Sequence, residues 1–136
     1  MKRVCLIFLM LSLFMITGCG SKNTNNHSSA LVTRIDIVYS QPDTTDTRSY
    51  TNPEKMEVIL LYLRLIRPTG TPQTDPEQFQ NDVYKITLHF ADGHERIYRQ
   101  RANRFLSAGE KAWYTVDPDH AQVLQSIFQD MPGDTI

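Results

Sequence analysis

Hydrophobic positions along this chain change their rhythm several times, and each change marks a different kind of element. From Val4 to Ile16 they are continuous, interrupted only by Ser12. From residue 31 they alternate: Leu31, Thr33, Ile35, Ile37 and Tyr39 share one face, while Val32, Arg34, Asp36 and Val38 take the other. A period of two predicts a strand with one buried face. The turn-rich stretch QPDTTD, 41–46, follows, and TRSYT returns as a second strand to Thr51. The spacing then becomes helical. Asn52 is an N-cap residue, Pro53 suits the first helical position, and Glu54 complements the positive end of the helix dipole. This helix is expected to run to about Arg67, where Pro68 and Gly70 stop it.

The second half repeats the grammar. DVYKITLHFADGHERIYRQRANRF alternates on both sides of Asp92-Gly93 and predicts a hairpin. A three-residue loop, Ala91 to Gly93 with Gly93 left-handed, places Ile86 opposite Tyr98 and Lys85 opposite Arg99. A two-residue loop pairing Leu88 with Ile97 stays open. SAG, 107–109, turns the chain into a further strand, KAWYTV. A closing helix starts at Asp117-Pro118, with Val123, Leu124, Ile127, Phe128 and Met131 on one face. YTNPEKMEVIL and YTVDPDHAQVL share an order of residue types, which suggests a ββα duplication. The expected class is α+β: an antiparallel sheet of about five strands with two helices packed on one face.

The first helix carries more apolar surface than one core face requires. Met56, Ile59, Leu60 and Leu63 form that face, yet Val58, Leu61, Tyr62 and Leu65 are apolar too. Either the helix is covered on several sides or it offers a second face to a partner. The stretch RPTGTPQTDPEQFQND, 67–82, is long for a loop and reads as a strap over the domain or as a recognition loop, with Phe79 as a hydrophobic plug. Leu61, Tyr62, Leu65 and Phe79 are therefore the candidate protein-binding residues.

Lys2 and Arg3 precede the first apolar run, which is shorter than the roughly 20 residues a bilayer-spanning helix needs. A charged start, a short apolar stretch and small residues after it form a secretion signal. Ile16-Thr17-Gly18-Cys19 then resembles the lipobox of bacterial lipoprotein precursors, with Ile16 where Leu is usual. The resemblance covers only the first twenty or so residues. It implies removal of residues 1–18, a diacylglycerol thioether on Cys19, and a domain held on the outward side of a bacterial membrane, the outer one in a Gram-negative host. Two acyl chains would hold firmly where one holds weakly. The polar stretch 20–29, GSKNTNNHSS, completes a tether that begins at Cys19, and 30–136 forms one α+β domain. The other cysteine, Cys5, lies in the segment that would be removed, so the processed chain would keep no free thiol, no disulfide and no cysteine metal site.

The net charge of −1 gives no reason to expect nucleic-acid binding, and no cofactor motif is present. Lys85, Arg96, Arg99 and Arg101 are candidate anion-binding residues, suited to envelope polymer or lipid headgroups, or else a solvated sheet face. His89, His94 and Glu95 cluster near the hairpin, but the two histidines fall on opposite faces, which argues against a metal site. No nucleophile elbow, phosphate loop or HExxH pattern occurs, so a hydrolase would need a site assembled from distant residues. The expected function is that of a membrane-anchored, non-enzymatic binding or accessory module for an envelope protein. Binding of anionic polymer is the alternative.

Overall fold

A computed structural model describes residues 31–73, 83–109 and 112–134. Seven strands and two helices occur among them: β1 Val32–Ser40, β2 Thr45–Tyr50, α1 Pro53–Leu65, β3 Pro68–Gln73, β4 Val83–Phe90, β5 Glu95–Arg101, β6 Phe105–Ala108, β7 Trp113–Val116 and α2 Pro118–Asp130. The strands form one sheet in the order β2-β1-β4-β5-β6-β7-β3. Every pairing is antiparallel. The class is α+β, as expected.

The sheet has seven described strands where the sequence pattern suggested five, and both additions have a physical reason. The stretch expected to be a loop holds β3, PTGTPQ, which is exposed throughout and, among the described strands, pairs only with β7. It buries nothing, so it has no alternation to read, and its two prolines suit an edge strand. β6 follows the arginine-rich run and takes in Ser107 and Ala108, which were expected to form a turn. Ala102 and Asn103 both adopt left-handed φ (53° and 48°), and the Arg104 amide donates to the Arg101 carbonyl at 3.1 Å. That tight three-residue loop, Ala102 to Arg104, folds β6 straight back on β5.

The β4–β5 hairpin has the expected three-residue loop. Ile86 faces Tyr98, Lys85 faces Arg99, and Gly93 has φ +88°. β1 departs from simple alternation. Its register against β4 shifts between Val32 and Arg34, so Val32 packs against the core and Leu31 is exposed. A bulge moves one residue to the other face, which one-dimensional alternation cannot anticipate.

Both helices begin as their sequences dictate. The Asn52 side chain accepts from the amides of Glu54 and Lys55, and the Asp117 side chain from those of Asp119 and His120. Ile59, Tyr62 and Ile66 line the inner side of α1; Ala121, Leu124 and Phe128 line that of α2. They close over Ile35, Ile37, Tyr84, Ile86, Leu88, Leu106 and Val116. α1 leaves β2 at one edge of the sheet and delivers the chain to β3 at the other, so it must cross the sheet face.

Gln100 joins the layers. It is 1% exposed, accepts from the Tyr62 hydroxyl, and donates to the Ala121 carbonyl (2.9 Å) and to Asn103 Oδ1 (3.2 Å). Burial pushes the Tyr62 hydroxyl well above the ordinary tyrosine range, so it remains a donor. Replacing Gln100 by Met would leave the Tyr62 hydroxyl and the Ala121 carbonyl short of a partner. The expected cost is about 1–3 kcal/mol in denaturant unfolding, and Gln100→Met with Tyr62→Phe should cost less than the sum.

The C-terminal tail is bound down as tightly. Asp134 Oδ2 accepts from the Thr51 and Asn52 amides at 2.7 Å each, and Lys55 Nζ lies 2.6 Å from Oδ1. The hydrogen bonds from Lys55 and from those two amides hold the Asp134 carboxyl far below the usual carboxylate range. A depressed folded pKa stabilises fully above about pH 4 and is lost as pH falls towards the folded value. Asp134→Asn should therefore destabilise the domain at pH 7 and flatten its loss of stability in acid, as followed by urea unfolding across pH.

Candidate functional site

Three surfaces and one groove are candidates for function. The first is the outer side of α1. The helix turns Ile59, Tyr62 and Ile66 inward, and this leaves Val58, Leu61 and Leu65 outward at 46%, 47% and 61% exposure. Leu61 and Leu65 stand where a binding face was expected. Tyr62 does not: it is buried, and its hydroxyl is committed to Gln100. At 3.6 residues per turn Tyr62 falls beside Ile59 and Ile66 on the core side, and the stripe is completed by Val58 instead. Glu57 and Arg64 form an exposed ion pair along the flank of the stripe. Phe79 and Cys19 lie outside the described residues.

The second surface is the face of the sheet away from the helices. Lys85 on β4 and Arg99 on β5 sit directly opposite each other, both exposed. Neither has an ion-pair partner among the described residues. Arg101 shares this face but is half-buried, with its guanidinium 5.4 Å from the Trp113 ring centroid. Arg96 does not join them. Its register partner is Leu88, so it emerges on the helix side of the sheet and leaves the expected group of four. The patch is a cation pair with a stacked arginine beside it.

The third is a polar row running across four strands on the same outer face. Ser49 of β2 donates to Asp36 Oδ1 of β1 at 2.7 Å. His89 of β4 places Nε2 2.7 Å from Asp36 Oδ2 and Nδ1 2.8 Å from Glu95 Oε1 of β5. Arg34 lies 3.2 Å from Asp36 Oδ2 and also 3.2 Å from His89 Nε2. Burial raises the Asp36 carboxyl, but the Ser49 hydroxyl, His89 and Arg34 outweigh it and hold the group below its ordinary range. A serine, a histidine and an aspartate thus meet, in the wrong order for nucleophilic catalysis. Ser49 gives its proton to Asp36, and both nitrogens of His89 face carboxylates, so no base addresses the hydroxyl. The row ties four strands together.

His94 stays apart from His89, stacked on Phe90 with ring centroids 4.0 Å apart. Among the described residues no group of three His, Cys, Asp or Glu side chains is placed to hold a metal ion, and no helix is long and apolar enough to cross a membrane. The groove lies at the open end of β5 and β6. It encloses about 530 Å³ lined by Glu95, Arg96, Ile97, Tyr98, Ala108 and Gly109. Glu95 and Arg96 are consecutive in β5 and emerge on opposite faces, so its charged groups do not converge on one point.

No family model, curated protein or solved structure matches this chain. The functional argument therefore rests on these surfaces.

Like charges directly opposite in an antiparallel pair destabilise it, and opposite charges stabilise it by roughly 0.2–1 kcal/mol. Arg99→Glu should accordingly raise stability at low ionic strength, with the gain shrinking in high salt. Thermal unfolding at the two salt concentrations checks it.

Proposed function

We propose that this chain is a lipid-anchored, non-enzymatic binding module on the outward side of a bacterial membrane. It is attached through Cys19 and docks an envelope protein through the outer side of α1. The observation that carries the docking reading is the exposed stripe of Val58, Leu61 and Leu65 on a helix whose inner side already fills the core. Three large apolar side chains aligned on one exposed helix face are better explained by a partner than by solvent. The lipobox-like Ile16-Thr17-Gly18-Cys19 supports the anchor. Anchoring would raise the local concentration of the module around membrane partners, so modest contacts would suffice. Each helix follows an antiparallel strand pair and an Asx-Pro start, which supports reading the domain as a ββα duplication.

A second reading has its own observation. Lys85 and Arg99 lack ion-pair partners among the described residues and face outward side by side, an arrangement that suits anionic envelope polymer or lipid headgroups. Salt separates the two readings, because polymer binding weakens with ionic strength and an apolar protein contact does not.

The test is cross-linking in the native cells with wild type and Cys19→Ser, together with metabolic labelling by a fatty-acid analogue. Wild type should take up label and capture an envelope protein stoichiometrically. Cys19→Ser should lose both. Equal labelling of the two proteins would overturn the anchor. Capture of polymer alone, eluting with salt, would replace α1 by the cation pair.

A further inference from the structure

The outer side of α1 is self-complementary. We propose that its occupant is a second copy of this chain, whose own α1 docks antiparallel about a two-fold axis passing near Leu61. This rests on the reading of α1 as a docking face and names the partner.

The seam itself supports pairing between helices. Val58, Leu61 and Leu65 are separated by three and then four residues, the spacing of positions that meet across two packed helices. Leu61 stands in the middle of the outward patch, with Val58 and Leu65 to one side. Glu57 and Arg64, seven residues apart, lie on its other side. A two-fold axis perpendicular to the pair brings like flank to like flank. Apolar then meets apolar, and charged meets charged.

The order of charges fixes the direction. The exposed acids Glu54 and Glu57 occupy the first half of α1, while the exposed bases Arg64 and Arg67 occupy its end and the residues just past it. Antiparallel docking sets Glu57 of each copy against Arg64 of the other, twice per dimer. Parallel docking sets the acidic halves side by side, which is repulsive. An isologous two-fold contact requires a patch that complements itself in this way. Glu57 and Arg64 already pair within each chain, so docking exchanges two internal pairs for two crossed ones. The exchange sets orientation more than affinity.

The contact is small. α1 has 13 residues, and a standard interface buries roughly 800 Å² on each partner. Association is therefore weak between freely diffusing copies and strengthens when copies share a membrane surface.

The test uses the full chain, measured by sedimentation over a wide range of concentration and by energy transfer between labelled copies in phosphatidylcholine vesicles. Leu61→Lys should weaken self-association by about tenfold or more, with the circular dichroism unchanged because Leu61 is half exposed. Glu57→Arg and Arg64→Glu should each weaken it, and the two together should restore it. A chain that stays monomeric in both assays overturns the proposal. So does association that ignores the single reversals, or a double variant no better than the singles. Fatty-acid labelling of the same preparations keeps the two readings apart: a labelled but monomeric chain removes the dimer and leaves the anchor, and an unlabelled dimer removes only the anchor.

Discussion

The amide of Gln100 is the point on which both helices are hung. A side chain so fully buried costs several kcal/mol unless its polar atoms are paired. Its three partners come from α1, from α2 and from the turn between β5 and β6. Apolar packing alone would let either helix slide over the flat field of isoleucines and leucines beneath. A buried polar network does not, because any shift that lengthens one of its bonds leaves a group unsatisfied. By fixing the rotation of α1 through Tyr62, Gln100 also decides which residues α1 turns outward. Core and candidate surface are therefore consequences of one interaction.

The ends of the helices are completed by charges from elsewhere in the chain. α2 has no basic residue in its last turn. The cation comes from β2, where Arg48 donates to the Phe128 and Met131 carbonyls and lies 4.2 Å from the Phe128 ring centroid. A guanidinium at that position meets both the unpaired carbonyls and the negative end of the dipole. Asp134 performs the opposite service at the start of α1. Tyr50 and Lys55 add bonds to the carbonyls of Met131 and Pro132. The tail runs so close to β2 that a Cβ on Gly133 would lie 3.2 Å from Arg48 Cβ. With Tyr39, Tyr84 and Phe128 packed alongside at 4.5–5.7 Å, this edge of the sheet is bound to both helices.

How much of this was legible depended on how locally each feature is determined. Helix starts were, because Asn52-Pro53 and Asp117-Pro118 carry their caps beside them. The β4–β5 hairpin was, because Gly93 marks its loop and alternation fixes its register. β3 was not, since an exposed edge strand has no hydrophobic signature. β6 was not, since nothing but its geometry marks Ala102-Asn103 as a turn. Of the candidate binding residues on α1, Leu61 and Leu65 are exposed and Tyr62 is buried. A helix apolar on nearly all sides does not announce which side faces in, and the deciding partner, Gln100, lies 38 residues away in sequence. The Lys85–Arg99 pair followed from the hairpin register. The row from Ser49 to Glu95 could not, because it is assembled from four strands.

A two-layer domain has two outer faces, and here they differ in kind. The helix side shows an apolar stripe with an ion pair along one side; the sheet side shows a cation pair beside a self-satisfied polar row. The polar row has spent its hydrogen-bonding capacity on holding strands together, which leaves it little to offer a substrate. Lys85 and Arg99 have spent none on ion pairs among the described residues, and they carry the repulsion of their own juxtaposition. An anionic surface would relieve that repulsion without competing for α1, because the faces point in opposite directions. The two readings of function are thus not rivals for one site. Contact through α1 and neutralisation of the sheet face are compatible on one domain. Each would respond differently to salt, because one is driven by burial of apolar surface and the other by charge.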